Sequence, residues 1–256
     1  MTALDGRIAL VTGGGRGVGR AISLALAEDG ADIAVNYRRD EDAALETVAA
    51  VEALGRRAIA VQASVDDAAA DAAMVDRVAG ELGPISILVN NAGQASRGQS
   101  VAKTEDWEVE KLLGTHAVGP HHLCRLALPH MRECERGDII FISSVATDHH
   151  AAGGAPYNMG KAAMEALAMT LAKEEQRHGI RVNVVAPGLI ETEMGRRLVK
   201  AGGVDDIATL HAAFPFGRVC QPDDIADVVR FLVGPQGSYV SGTRLKVDGG
   251  GSTPVR

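Results

Sequence analysis

The sequence predicts an α/β protein built on one doubly wound sheet, with seven parallel strands flanked by helices. Short apolar runs rich in Ile and Val recur along the 256 residues, and most are separated by ten or more residues with a helical pattern. A glycine-rich turn follows the first run. Strands that are apolar throughout are buried on both faces, and parallel neighbours need crossover helices to join them. With 46% hydrophobic residues the chain can fill a sizeable core, and no stretch within it looks like a linker or a repeat. Residues 1–256 are therefore read as a single domain, with a looser, charge-containing segment at about 188–220 as a substrate flap.

The first run, residues 7–12, leads into a turn where Gly13, Gly17 and Gly19 fall as GxxxGxG before a helical pattern. Glycines there, with Gly15 between them, allow a tight turn whose N–H groups approach a pyrophosphate at a helix N-terminus. The second run, residues 31–37, ends where a site for NAD carries a carboxylate for the ribose hydroxyls. Here the chain reads Asn36, Tyr37, Arg38 and Arg39, and Arg16 lies in the glycine turn itself. Guanidinium groups suit a 2′-phosphate, so NADP(H) is the expected cofactor and NAD(H) the alternative. Solvated surface is the plain reading of Arg38 and Arg39.

The third run, residues 57–63, is followed by Ser64 and Val65; the fourth, 85–93, closes on Asn90, Asn91, Ala92 and Gly93. Helical patterning then carries His116. The fifth run, residues 137–144, ends on Ser143 and Ser144, which strand alternation would place on opposite faces. A helix beginning near Pro156 sets Tyr157 and Lys161 four residues apart, on one face about a turn from each other. That pair alone is ordinary helix surface as readily as a site. The sixth and seventh runs lie at 180–188 and 243–250.

Composition excludes several classes. Net charge is −7 and aromatic residues make up 3%, which argues against nucleic acid as a partner. No apolar stretch is long enough for a membrane span, and the N-terminus lacks a signal-like core. Cys124, Cys134 and Cys220 have no CxxC spacing and fit reduced thiols, so a cytoplasmic location is expected. The eight histidines match no metal-ligand spacing, and no metal is expected.

Taken together, "TGGGRGVG" at 12–19, "NNAG" at 90–93, Ser144 thirteen residues before Tyr157, the Tyr157-x-x-x-Lys161 pair, "RVNVVAPGLIET" at 181–192 and "VDGG" at 247–250 resemble the short-chain dehydrogenase/reductase family over essentially the whole chain. The resemblance implies a Rossmann-like fold and hydride exchange between a nicotinamide and a ketone or secondary alcohol, with 3-oxoacyl thioester reductases among the relatives. It also implies a homotetramer, a state the small apolar positions after Lys161 would favour. Tyr157 would be the general acid or base, Ser144 a donor to the substrate oxygen, and Lys161 both a charge beside the phenol and a holder of the nicotinamide ribose. Pro187, Gly188, Ile190 and Thr192 would line the nicotinamide, Asn90 would organise backbone, and Gln94 and His149 would face the substrate.

Two positions depart from the family pattern. His116 stands where many members have an asparagine that relays protons from the lysine, in a segment two residues longer than usual. Imidazole can both donate and accept, so a water relay survives unless protonation adds a second cation; helix filler is the other reading. Ser64 replaces an aspartate that faces the adenine amino group. A cofactor-binding sensor or scaffold with little turnover is the competing function, and retention of Ser144, Tyr157 and Lys161 together counts against it.

Overall fold

The computed structural model describes residues 3–251; the remainder of the range assigned to the domain lies outside the described residues. All seven expected strands form: β1 (Ile8–Val11), β2 (Asp32–Tyr37), β3 (Ala58–Gln62), β4 (Ile87–Asn90), β5 (Gly137–Ile142), β6 (Ile180–Pro187) and β7 (Arg244–Val247). They make one parallel sheet in the order β3-β2-β1-β4-β5-β6-β7. The order reverses between β1 and β4, which opens a crevice at the strands' C-terminal ends.

Why the strands are apolar throughout is visible in the two cores. Ile8 and Leu10 pack on one side, with α3 (Ala68–Glu81), α5 (Gly119–Glu133) and α7 (Ala155–Glu175). Ala9 and Val11 pack on the other, with α1 (Gly17–Glu28), α2 (Glu41–Ala53) and α9 (Pro222–Val233). In β5, Ile139 and Phe141 alternate with Ile140 and Ile142 between the same two cores. Each buried aliphatic side chain contributes about 1.5–3 kcal/mol relative to exposure, so a strand buried on both faces tolerates few polar residues.

Among the described residues three further α-helices are α4 (Asp106–Leu113), α6 (Ala146–His149) and α8 (Glu193–Ala201). Between α4 and α5 the backbone makes one π turn, Gly114–Val118, which holds His116. A π turn accommodates an extra residue without ending the helix, and such turns recur at functional sites. Residues after β6 gather a small core of their own, with Val199, Ile207 and Val219 buried. A bridge between Ile190 and Cys220 ties the two ends of that segment together.

Candidate active site

The turn after β1 is built by its neighbours. Gly13 adopts φ +62° and Gly17 φ +52°, left-handed values that favour glycine. Gly13 N–H donates to Asn36 Oδ1 at 3.1 Å, and Asn91 Nδ2 donates to Thr12 O at 2.8 Å. Thr12 Oγ1 in turn accepts from the N–H groups of Asn91 and Ala92, both at 2.9 Å. A Cβ at Gly19 would lie 2.1 Å from Gly13 O, and one at Gly15 2.9 Å from Ala44 Cα. The residue before α1, Arg16, supplies no side-chain cap, so the first-turn N–H groups around Gly17, Val18 and Gly19 remain open to an anion. These features fit a dinucleotide phosphate.

Asn36 is in place, though as a brace. Its Nδ2 donates to Val61 O at 3.3 Å and Ala63 O at 3.1 Å, so it shapes the crevice and presents nothing to a ribose. Tyr37 is likewise engaged, with its hydroxyl donating to Glu41 Oε1 at 2.8 Å. Arg38 and Arg39 are exposed and form no ion pair among the described residues. Arg16 contacts Asp40 at 3.4 Å and Glu193 at 3.1 Å. Ser64 donates to Asp66 Oδ1 at 2.5 Å, which leaves its lone pairs to accept from another group. Val65 is buried against the π turn, where a Cβ on Gly119 would strike Val65 O.

At β4, the backbone-organising role expected of Asn90 belongs to Asn91. Asn90 instead points into the core, 3.8 Å from Cys124 Sγ. Gly93 follows beneath the His116 ring, where a Cβ would lie 2.9 Å from Cε1. Gln94 holds that ring with its carbonyl, 2.9 Å from Nε2. A carbonyl only accepts, so Nε2 carries the proton and Nδ1 is a lone pair; Nδ1 is buried with no partner. Burial, and then the nearby Lys161, push the His116 pKa down to about 3. The second cation that protonation would create is therefore absent at neutral pH.

Tyr157, Lys161 and Ser144 come together at the C-terminal end of the sheet. The His116 and Tyr157 rings meet edge to face at 5.2 Å, and Lys161 Nζ lies 5.7 Å from the Tyr157 ring centre. Burial raises the phenol's pKa, and a hydrogen bond with Ser144 opposes that rise. Lys161 itself is driven down to about 7 by burial, while its Nζ donates to Ile142 O at 2.7 Å. The hydrogen bond from Ser144 favours the phenolate, and Lys161 Nζ lies close enough to the Tyr157 ring for its charge to act in the same direction when it is protonated.

Strand β5 ends at Ile142, so strand alternation does not govern the two serines beyond it. Ser143 reaches Glu165 Oε1 on α7 at 2.5 Å, one turn past Lys161. Ser144 Oγ accepts from Ala146 N–H at 3.1 Å, which leaves its proton to donate, here to the Tyr157 oxygen and, with a substrate bound, to the substrate oxygen. His149 is exposed on α6. Pro187 closes β6, Gly188 N–H donates to Val247 O at 3.0 Å, and Thr192 caps α8 through Gly195 N–H at 3.1 Å. Thr192 Cγ2 also lies 3.4 Å from where a Cβ on Gly17 would be, so the segment after β6 faces the glycine turn. Sequence reading missed Thr12, Asp66, Glu165 and Arg244; of these, only Glu165 left a signal, its i+4 spacing from Lys161.

The sequence matches the family profile described as enoyl-(acyl carrier protein) reductase over residues 13–252. It is 37% identical over 253 residues to a 3-oxoacyl-[acyl-carrier-protein] reductase of Synechocystis, covering 98% of each chain. The chain belongs to the short-chain dehydrogenase/reductase family. An uncharacterized oxidoreductase of Methylorubrum extorquens is 38% identical over 250 residues, covering 98% of this chain and 99% of that one. Among solved structures, a short-chain dehydrogenase of Burkholderia cenocepacia in complex with NADP superposes with a TM-score of 0.87 at 37% identity, covering 97% of this chain and 98% of that one. As a short-chain dehydrogenase/reductase, the protein is a nicotinamide-dependent oxidoreductase acting between CH–OH and C=O groups. No helix among the described residues is long and apolar enough to cross a membrane.

Proposed function

We propose that the protein is an NADP(H)-preferring reductase of ketones that also oxidises the corresponding secondary alcohols, with 3-oxoacyl thioesters the first substrate class to test. The observation that carries this reading is the meeting of Ser144, Tyr157 and Lys161 at the sheet's C-terminal edge, beside the glycine cradle. When bound, the nicotinamide supplies the hydride in reduction or receives it in oxidation. Ser144, its lone pair already engaged by Ala146, donates to the carbonyl oxygen as negative charge grows there. Tyr157 gives up its proton to that oxygen. A phenol whose pKa burial has raised is fully protonated at neutral pH, which suits the acid role in reduction. Lys161 would hold the nicotinamide ribose and, with a pKa of about 7, exchange protons near neutrality.

In a proton path from Lys161 to water, His116 would orient a water and would not itself pass the proton, because its Nε2–H is held by the Gln94 carbonyl and burial keeps the ring neutral. Neutral, with Nε2 fixed on Gln94 and Nδ1 free, it can accept from a water without adding charge. The cofactor preference rests on Arg38 and Arg39, cations at the end of β2 that form no ion pair among the described residues. The relative solved with NADP supports the same choice. A homotetramer is the assembly we expect, supported by the outer face of α7, where the small residues Ala162 and Ala166 are exposed beside Met159 and would allow close helix contact with a second copy. Residues 188–220 would serve as the flap over the substrate, with Gln94 and His149 at its mouth.

A carbonyl panel including an acetoacetyl thioester, followed by NADPH absorbance, tests the reading. Tyr157→Phe should lower kcat by about 10³-fold or more while NADPH affinity stays within about threefold. Turnover retained by Tyr157→Phe would sink it, as would a wild-type protein that binds NADPH and reduces nothing. Equal or better affinity for NADH would remove the cofactor preference alone.

A further inference from the structure

Around the Ser144 turn lies a cluster of charged groups that touch neither substrate nor cofactor in the proposed chemistry, although Glu165 also favours the charged form of Lys161. Arg244, the first residue of β7, donates through Nη2 to the carbonyl of Ser144 at 3.2 Å and to Thr147 Oγ1 at 2.8 Å. Its Nε donates to Glu165 Oε1 at 2.9 Å, and it also pairs with Asp148 at 3.2 Å. The same Glu165 oxygen accepts from Ser143 Oγ at 2.5 Å and lies 2.9 Å from Thr147 Oγ1. Thr147 Oγ1 is 3.0 Å from Ser144 O as well. Arg244 and Glu165 are both mostly buried, with side chains 21% and 18% exposed.

We infer that Arg244 and Glu165 form a positioning clamp that fixes the catalytic serine turn. Beyond the end of β5 at Ile142 the backbone keeps two bonds to β6, Ser143 N–H to Val185 O at 2.7 Å and Val145 N–H to Pro187 O at 2.9 Å, which leave the Ser144 carbonyl and the Thr147 side chain for Arg244 to hold. What orients the serine hydroxyl is the N–H of Ala146, a residue in the same short turn. A turn gripped at Ser143, at the Ser144 carbonyl and at Thr147 keeps that N–H, and hence the hydroxyl, in one place. Glu165 lies on the helix that carries Tyr157 and Lys161, at positions 157, 161 and 165 on one face. The clamp therefore references the serine to the tyrosine through a single rigid helix. A guanidinium fork suits this because one planar group can bond the carbonyl, the hydroxyl and the carboxylate together. Neither residue touches the reacting atoms.

The inference rests on the role proposed above for Ser144, and two measurements keep the two apart. In steady-state kinetics with NADPH and a ketone that the wild type reduces, Arg244→Met should lower kcat by about 10- to 100-fold, with NADPH affinity within about twofold. Arg244→Lys, which keeps a charge but loses the fork, should recover part of that loss. Glu165→Gln, which keeps the acceptor oxygen, should fall between the wild type and Arg244→Met. If Arg244→Met does not fold, the lysine and glutamine variants carry the test. The idea is overturned if kcat is unchanged in these variants, or if kcat and NADPH affinity fall together with no rescue by lysine, the mark of a general structural role. Should the wild type reduce no carbonyl, the functional reading fails, and amide hydrogen exchange still decides the clamp. Exchange at 144–148 should then rise about tenfold or more in Arg244→Met, with the cradle at 13–19 unchanged. Unchanged exchange at 144–148 overturns the clamp.

Discussion

The cradle after β1 and the segment after β6 face each other across the crevice, yet they are held by different forces. Cradle residues are fixed by sequence-distant hydrogen bonds, buried or partly buried: Gly13 N–H to Asn36 Oδ1, Asn91 Nδ2 to Thr12 O, and Thr47 Oγ1 to Gly15 O at 3.0 Å. The segment after β6 relies on a small core around Val199, Ile207 and Val219, and on pairs at the surface. Arg197–Glu193, Arg196–Glu191 and Arg16–Glu193 each leave the arginine more than half exposed. Pairs of that kind contribute about 0.2–1 kcal/mol and weaken with salt. The phosphate-holding role proposed for the cradle would gain from rigidity, because the N–H groups must already point at the anion, whereas the covering role proposed for residues 188–220 would require that segment to open.

The contrast can be broken most severely at Gly19. In Gly19→Ala the new methyl would meet Gly13 O and Asn91 Nδ2, so NADPH affinity should fall by about two orders of magnitude, with a lower Tm. Isothermal titration at matched salt would check this; unchanged affinity would mean the cradle adapts as freely as the flap.

Asp71 makes a subtler break, because it is a weak point inside the tighter half. Its carboxylate is fully buried on α3 with no partner, and burial, with Asp67 and Asp66 nearby, raises its pKa to about 7 from 3.8. The folded chain therefore binds a proton between about pH 4 and 7 that the unfolded chain has released. Stability is lost as pH rises through that window, and above it the cost is fully present. Asp71→Asn should match the wild type near pH 4 and exceed its Tm by several degrees at pH 8. A difference that does not grow with pH would count against this account.

The smallest effect should come from Glu193→Gln. Removing one exposed partner of Arg16 frees the guanidinium for a 2′-phosphate, so NADPH affinity should rise by no more than about fivefold, and the gain should vanish in high salt. NADH affinity should not move, and a comparable gain for NADH would show that the pair acts on the flap alone.

Much of this was legible along the chain. Strand positions were, because burial on both faces leaves a run of Ile and Val that no helix stripe imitates. The cradle was, because only glycine takes φ +62° and +52° there and admits helix α1 so close. Tyr157 and Lys161 could be paired by helix period alone. Ser144 is different: only its tertiary placement beyond the end of β5 lets it meet Tyr157.

What the sequence determined by itself is the fold class and the identity of the chemical groups, since period and glycine conformation are local properties. The tertiary structure alone decided three things. It made Asn91 and Thr12 the organisers of the crevice, fixed the tautomer and neutrality of His116 through the Gln94 carbonyl, and brought Arg244 to Ser144 across 100 residues of chain. Hydrogen bonds between distant segments, and the burial that shifts a titration, leave no period in the sequence because they depend on which elements the sheet places side by side.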